Sequence, residues 1–91
     1  MTTKSRKLTD SEIVYAYAMK AIHGGTLQDH LEGRRSVILR AIGIAIKNGN
    51  IRHSGNPENG WLTSQGIELL PKETRPAYRA AVRQKTAMRA G

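Results

Sequence analysis

Five cations follow one another in the middle of this chain without an intervening carboxylate. No Asp or Glu lies between Glu32 and Glu58, and the cations in this interval are Arg34, Arg35, Arg40, Lys47 and Arg52. Clustered Lys and Arg side chains displace counterions from phosphates, which gives polyanion binding that weakens as salt is added. We therefore expect this interval to contact a polyanion.

The formal charge of +8 comes from the two ends of the 91-residue chain. Residues 8–73 carry seven bases and seven acids, so this part is neutral as a whole. The bases of the ends are Lys4, Arg6, Lys7, Arg75, Arg79, Arg83, Lys85 and Arg89. Basic ends can increase the affinity for a polyanion, and the alternative is that they only keep a small protein soluble.

The residue types that catalyse reactions or bind metals are not arranged for either task. Cys is absent, which excludes disulfides and thiolate zinc ligands. His23, His30 and His53 lack the spacing of metal ligands. Gly24-Gly25 does not follow a strand, as a phosphate-binding loop would, and nothing resembles a nucleophile elbow. We expect no enzyme activity, no cofactor and no metal.

Length and composition predict one small domain with an aliphatic core. The chain has no Phe, one Trp and three Tyr, so Ile, Leu, Val and Ala must fill the interior. The longest apolar run, residues 41–46, is far too short to cross a bilayer, and the N-terminus has no apolar signal segment. We expect a cytoplasmic protein without a membrane partner, associated with the nucleoid where it binds DNA.

Capping patterns predict three helices before residue 50. Thr9 and Glu12 have the spacing of a capping box, and apolar residues at helical spacing then predict a helix over 10–23. Thr26 is the expected N-cap of a short helix over 27–31. Ser36 is the expected N-cap of a third helix, whose residues 37–47 run to the breaker Asn48-Gly49-Asn50.

A wheel projection gives the third helix a wide apolar face and a narrow polar stripe. The expected apolar positions are Ile38, Ala41, Ile42, Ala45 and Ile46, flanked by Val37, Leu39 and Ile44. The opposite stripe consists of Ser36, Arg40, Gly43 and Lys47. Most of the helix should be buried, and the glycine would let a DNA duplex approach closely. A core helix with an ordinary solvated stripe is the alternative.

Beyond Asn50 the pattern changes to that of a β-hairpin. Residues 51–53 and 61–63 are the expected strands, joined by the turn-forming residues 54–60. Trp61 could stack on a base, but packing against the core is its expected role. Thr63 is the expected cap of another short helix, with Ile67, Leu69 and Leu70, which Pro71 ends.

The last predicted helix covers residues 77–88. Pro76 suits its first turn, and alanines favour its interior. Its expected inner side holds Tyr78, Ala81, Val82 and Lys85. Arg75, Arg79 and Arg83 lie four residues apart, which predicts a basic ridge along one side. Such a helix could contact phosphates or pair two subunits, and the alternative is a helix packed on the domain with a solvated basic edge.

Residues 26–47 resemble a helix-turn-helix, and residues 48–66 resemble the wing of winged-helix transcription regulators. The wing likeness rests on Trp61, Leu62, Thr63 and Gly66, which match an aromatic, Leu, Thr, two variable residues, Gly pattern. The resemblance covers about residues 9–70. It implies a mainly α fold with a small β-hairpin (α+β): three N-terminal helices, a wing hairpin and C-terminal helices.

The resemblance also implies which residues face DNA. The third helix would enter the major groove with Ser36, Arg40 and Lys47, and the wing would lie along the backbone or the minor groove. The full set of expected DNA-binding residues is Arg34, Arg35, Ser36, Arg40, Lys47, Arg52, His53, Asn56, Asn59, Arg79 and Arg83. The third helix has one Arg and no Asn or Gln outside, so shape and backbone recognition should outweigh base reading.

We therefore predict a basic arm over residues 1–8, a winged helix-turn-helix domain over 9–73 and a basic C-terminal helix over 74–91. The expected function is double-stranded DNA binding by a small transcriptional regulator, with a homodimer as one arrangement. Two alternatives remain open at this point. One is an adaptor or inhibitor that binds a protein, such as a nucleic-acid enzyme, and the other is an RNA-associated or ribosome-associated basic protein.

Overall fold

The computed structural model describes the backbone of residues 8–90 and the side chains of residues 8–84. The protein is mainly helical with one small antiparallel sheet of two strands, as expected. In chain order the elements are α1 (Asp10–His23), a 3-10 turn (Leu27–His30), α2 (Arg35–Lys47), β1 (Ile51–Arg52), a second 3-10 turn (Pro57–Asn59), β2 (Trp61–Leu62), α3 (Ser64–Ile67) and α4 (Thr74–Ala90). The predicted basic arm lies outside the described residues apart from Leu8, as does the side chain of Lys85.

The first helix begins and ends where its capping residues predict. The Thr9 backbone N–H donates to Glu12 Oε1 at 2.8 Å, and the Glu12 N–H donates to Thr9 Oγ1 at 3.2 Å. This capping box satisfies two of the amides that a helix start leaves without partners. At the other end Gly24 takes a positive φ of 85° and its N–H bonds to the Lys20 carbonyl.

The start of α2 differs from the prediction. Arg34 is the N-cap and makes no side-chain capping bond, so Ser36 is not the cap but lies in the first turn. The end agrees with the prediction, because Gly49 adopts a φ of 84° and the amides of Gly49 and Asn50 bond to the carbonyls of Ile46 and Ala45. This Schellman arrangement turns the chain directly into β1.

One aliphatic core joins the helices to the inner face of the hairpin. Helix α1 lies at its centre and packs against both α2 and α4. Ile13, Val14 and Ala16 are fully buried. The other buried apolar residues are Tyr17, Ala18, Leu27, Ile38, Ala41, Ile42, Ala45, Ile51, Leu62, Leu70 and Tyr78. As composition predicts, most of these residues are aliphatic, and the two aromatic ones are tyrosines.

The C-terminal elements have different bounds from those expected. Thr63 caps α3, but this helix ends at Ile67, so Leu69 and Leu70 follow it in turns. Helix α4 begins at Thr74, where the predicted C-terminal segment 74–91 starts and three residues ahead of the predicted alanine-rich run 77–88. It is fastened to the hairpin by the buried Tyr78, whose hydroxyl accepts a hydrogen bond from the Leu62 N–H at 2.9 Å.

Within the described part of the chain, no helix has the length and apolar character needed to cross a membrane.

Candidate nucleic-acid interface

The outer face of α2 carries the cations that the wheel projection placed there. Arg40 and Lys47 are exposed, as is Ser36 in the first turn. Gly43 lies among them, and a methyl group added to it would meet nothing within 4 Å. The middle of this face is therefore open, with room for a flat or convex partner to approach the helix backbone.

Helix α2 is less buried than predicted. Its buried residues are Ile38, Ala41, Ile42 and Ala45. Leu39 and Ile44, expected to flank the buried face, are 41% and 47% exposed. They border the polar stripe on its two sides, so the accessible face is wider and more apolar than the stripe alone.

The outer face of the hairpin consists of one cation and one aromatic ring. Ile51 pairs with Leu62, and Arg52 pairs with Trp61. Because side chains alternate along a strand, Ile51 and Leu62 enter the core while Arg52 and Trp61 share the outer face. Trp61 is 44% exposed, so the expectation that it packs against the core is wrong.

An open groove separates the end of α2 from the hairpin. Its volume is about 1020 Å³, and it is lined by Ile46, Gly49, Ile51, Arg52, His53, Trp61, Thr63, Ser64 and Gln65. None of these residues is acidic, whereas Arg52 contributes a permanent positive charge. The hairpin therefore adds a basic side chain to those on the outer face of α2.

The back of the groove is held by side-chain hydrogen bonds between the α2 end and the start of α3. Gln65 Nε2 donates to the Asn48 carbonyl and to Asn50 Oδ1, both at 2.8 Å. Thr63 Oγ1 donates to the Gly49 carbonyl at 2.6 Å and accepts from the Gly66 N–H. The sequence predicts Thr63 as a helix cap and as part of the wing pattern, but it gives no sign of the bond from Thr63 to Gly49 or of the role of Gln65.

Asn50 is the buried polar residue at the centre of this network. Its side chain is 4% exposed, and its amide nitrogen donates to the carboxylate of Asp10. Asn48 donates to the same oxygen at 3.0 Å. The start of α1 is thereby linked to the end of α2, and every buried side-chain polar atom of the described residues has a partner.

The tip of the hairpin does not project as a free wing. Tyr17 donates its hydroxyl to the Pro57 carbonyl at 2.6 Å, and Lys20 Nζ donates to the Glu58 carbonyl at 2.6 Å. The Glu58 carboxylate also lies 3.4 Å from the Arg35 guanidinium. The tip is thus bound to α1 and to the first residue of α2.

Three of the predicted DNA contacts make bonds within the protein. Asn56 Oδ1 accepts from the Glu58 N–H at 3.0 Å and caps the 3-10 turn. Asn59 Oδ1 lies 3.4 Å from Lys20 Nζ. The Arg35 guanidinium forms an ion pair with the Glu58 carboxylate. Asn56 and Asn59 therefore support the hairpin, and Arg35 brings less free charge to the surface than expected.

The remaining predicted cations lie at separate places. Arg34 is exposed at the start of α2, and Arg79 and Arg83 are exposed on α4, which contributes no residue to the groove. Arg75 does not extend the ridge freely, because its guanidinium donates to the carbonyls of Leu70 and Glu68. The groove therefore brings Arg52 and His53 together, whereas Arg40 and Lys47 lie on the outer face of α2 and the exposed cations of α4 do not line the groove.

The groups with shifted pKa values serve the framework and do not line the groove. Burial raises the pKa of Tyr17, and the nearby Glu58 carboxylate raises it further. Burial also raises the pKa of Tyr78, partly offset by the Leu62 N–H. The bond from the Thr26 backbone amide lowers the pKa of Asp29. Among the described residues, no three His, Asp or Glu side chains are grouped closely enough to hold a metal ion.

Comparisons with protein-family models, curated proteins and solved structures give no match to this chain.

Proposed function

We propose that the protein binds double-stranded DNA with the outer face of α2 and the adjoining groove, as a small winged helix-turn-helix regulator. One observation carries this proposal: Arg40 and Lys47 are exposed beside the open Gly43, and the groove that the end of α2 forms with the hairpin contains no acidic residue. Such a surface attracts phosphates, and it has no carboxylates that would repel them.

The order of elements supports a winged helix. A helix, a short turn, a longer helix and then a hairpin follow one another along residues 10–62. The strands are only two residues long and the tip is bound to α1, so this wing is short. It would contribute its outer face, with Arg52 and Trp61, in place of the extended tip that the resemblance implies.

Recognition should rest on phosphates and duplex shape. The outer face of α2 offers Arg40 as its one guanidinium and no Asn or Gln for paired contacts with adenine. Phosphate contacts position a protein on the duplex but carry no sequence information. We therefore expect affinity that depends strongly on salt and weakly on sequence.

The test compares a double variant with a variant that loses charge elsewhere. Arg40→Ala combined with Lys47→Ala removes two cations of the proposed interface, whereas Lys72→Ala removes an exposed cation from the segment before α4. Affinity for a labelled duplex is measured by fluorescence anisotropy at several salt concentrations. The slope of log K against log salt should fall in magnitude by about two for the double variant. Lys72→Ala should behave like the unmodified protein.

Equal slopes for the double variant and the unmodified protein would show that duplex DNA binds elsewhere. No binding to any duplex at low salt would overturn DNA binding itself. A duplex of RNA in the same assay tests the ribosome-associated or RNA-associated alternative, because its groove dimensions differ from those of B-DNA.

A protein partner is the second candidate function, and the exposed apolar residues of α2 favour it. Leu39 and Ile44 flank the basic stripe and are each more than 40% exposed. Accessible apolar side chains beside charged ones offer area that a protein partner can bury. Such a partner should remain bound at salt concentrations that release DNA, and Leu39→Ala with Ile44→Ala should release it.

A further inference from the structure

We propose that the groove between α2 and the hairpin holds an unstacked nucleobase against the indole of Trp61. This inference rests on the DNA binding proposed above and goes beyond it. It predicts a preference for duplexes that contain an unpaired nucleotide over fully paired duplexes.

The first observation is that the exposed ring of Trp61 does not contribute to the buried side of the hairpin. Trp61 is the only Trp of the chain, it is 44% exposed, and it lines the groove. The buried positions of the hairpin are supplied by Ile51 and Leu62. An exposed indole in a concave site is a surface on which a flat ring can stack, and such stacking strengthens binding by about 5- to 150-fold per base.

The second observation is the cation paired with this ring. Arg52 lies directly opposite Trp61 across the two strands, so both side chains start from adjacent positions on one face. A guanidinium beside an aromatic ring suits a nucleotide, because it can bind the phosphate while the ring meets the base. The absence of any acid among the groove residues favours an anionic occupant over a cationic one.

The third observation is that the groove is built before any ligand arrives. Thr63 and Gln65 fasten the strand end to the α2 turn through bonds of 2.6 to 2.8 Å. Gly60, next to Trp61, has no space for a side chain, because a Cβ there would overlap the Arg52 carbonyl. A rigid site loses little conformational entropy on binding.

These features select an unpaired base because a paired base has no free face. Within a duplex both faces of each base are covered by its neighbours. Taking a base out of the stack costs free energy, and the cost is least where the base is mismatched or already single-stranded. If stacking on Trp61 strengthens binding, the protein should therefore bind most tightly to DNA in which taking a base out of the stack costs almost no free energy.

The experiment measures two signals on two duplexes. One duplex carries a single unpaired nucleotide at its centre, and the other is its fully paired equivalent. Anisotropy of the labelled DNA gives affinity, and Trp emission reports on the groove, because Trp61 is the sole Trp. We expect at least about fivefold tighter binding to the first duplex, with quenched emission.

Substitutions then assign the preference to the ring. Trp61→Ala and Trp61→Leu should both reduce the ratio of the two affinities to about one. Tyr15→Ala removes another aromatic residue, 43% exposed on α1 and outside the groove, and should leave the ratio unchanged. Circular dichroism checks that each variant is folded, and the Leu variant keeps apolar bulk should the Ala variant unfold.

The outcomes separate the two proposals. Equal binding of both duplexes, with unchanged emission, would overturn base stacking in the groove and leave DNA binding intact. Base stacking on Trp61 would also be overturned if both Trp61 variants still preferred the duplex with the unpaired nucleotide. Failure to bind either duplex would overturn the proposed function itself.

Discussion

Among single residues, Gly66 decides how closely α3 can approach the end of α2. It is buried, and a Cβ at this position would overlap the carbonyl oxygen of Asn50. That carbonyl accepts the Thr63 N–H at 3.1 Å, so a displacement there would also disturb the back of the groove. Gly43, in contrast, is exposed on a helix face, and a Cβ added there would meet no other atom within 4 Å.

We predict opposite effects on stability for alanine at these two glycines. Gly66→Ala should lower the free energy of unfolding by about 1–3 kcal/mol, because the added methyl forces neighbouring backbone apart. Gly43→Ala should raise it by roughly 0.5–1 kcal/mol, because alanine favours the helix and finds no clash. Urea denaturation followed by circular dichroism measures both. A Gly66→Ala variant as stable as the unmodified protein would contradict the close packing described here.

The exposed side chains of α2 show what a sequence can predict at this scale. Arg40 and Lys47 were placed correctly, because the helical repeat alone determines which residues share a face. The bond that Asn59 makes to Lys20 could not be predicted, because it depends on how the hairpin tip packs on α1, whereas the bond of Asn56 to the Glu58 N–H is local. Trp61 was misplaced because a strand of two residues is too short for alternation to show which residue points inward.

Among the elements, the hairpin depends on α1 for its position. Two strands of two residues give few ladder bonds, and an isolated hairpin of this size is marginal in water. Tyr17 and Lys20 supply the missing support by bonding to the carbonyls of Pro57 and Glu58. The groove therefore keeps its shape through contacts made on the opposite side of the hairpin.

We predict that Tyr17→Phe loosens the tip and changes the alkaline limit of stability. Loss of the bond to Pro57 should cost about 1 kcal/mol at neutral pH. The pKa of Tyr17 is raised in the folded state, so its contribution is full below about pH 10 and is lost as the pH rises above that value. Urea denaturation at pH 7 and pH 11 should therefore show a smaller alkaline loss for the variant. An equal loss in both proteins would contradict a buried, hydrogen-bonded Tyr17.

The elements themselves were largely predictable, because most carry local signals. Thr9, Glu12 and Gly24 mark α1, and Gly49 marks the end of α2, all through bonds within a few residues. The start of α2 was misjudged because Ser36 is a good capping residue by type, whereas Arg34 caps with its backbone alone. The winged helix as a family assignment stays a prediction.

In the molecule as a whole, the positive charge falls into separate groups. Arg40 and Lys47 lie on the α2 face, Arg52 lines the groove, and Arg79 and Arg83 lie on α4. Helix α4 packs on α1, and the buried Tyr78 fastens it to β2. A contact of its basic side with phosphates or with a second subunit, and hence the homodimer, stays a prediction.

The central claim is that duplex DNA lies on the α2 face and the hairpin, and not on α4. Amide chemical-shift mapping by NMR during titration with a fully paired duplex tests it most directly, since each amide of a 91-residue chain can be followed separately. We predict that the largest shifts occur at Ser36, Arg40, Gly43, Lys47 and Arg52. Largest shifts at Arg79 and Arg83, with the α2 amides unmoved, would contradict the claim.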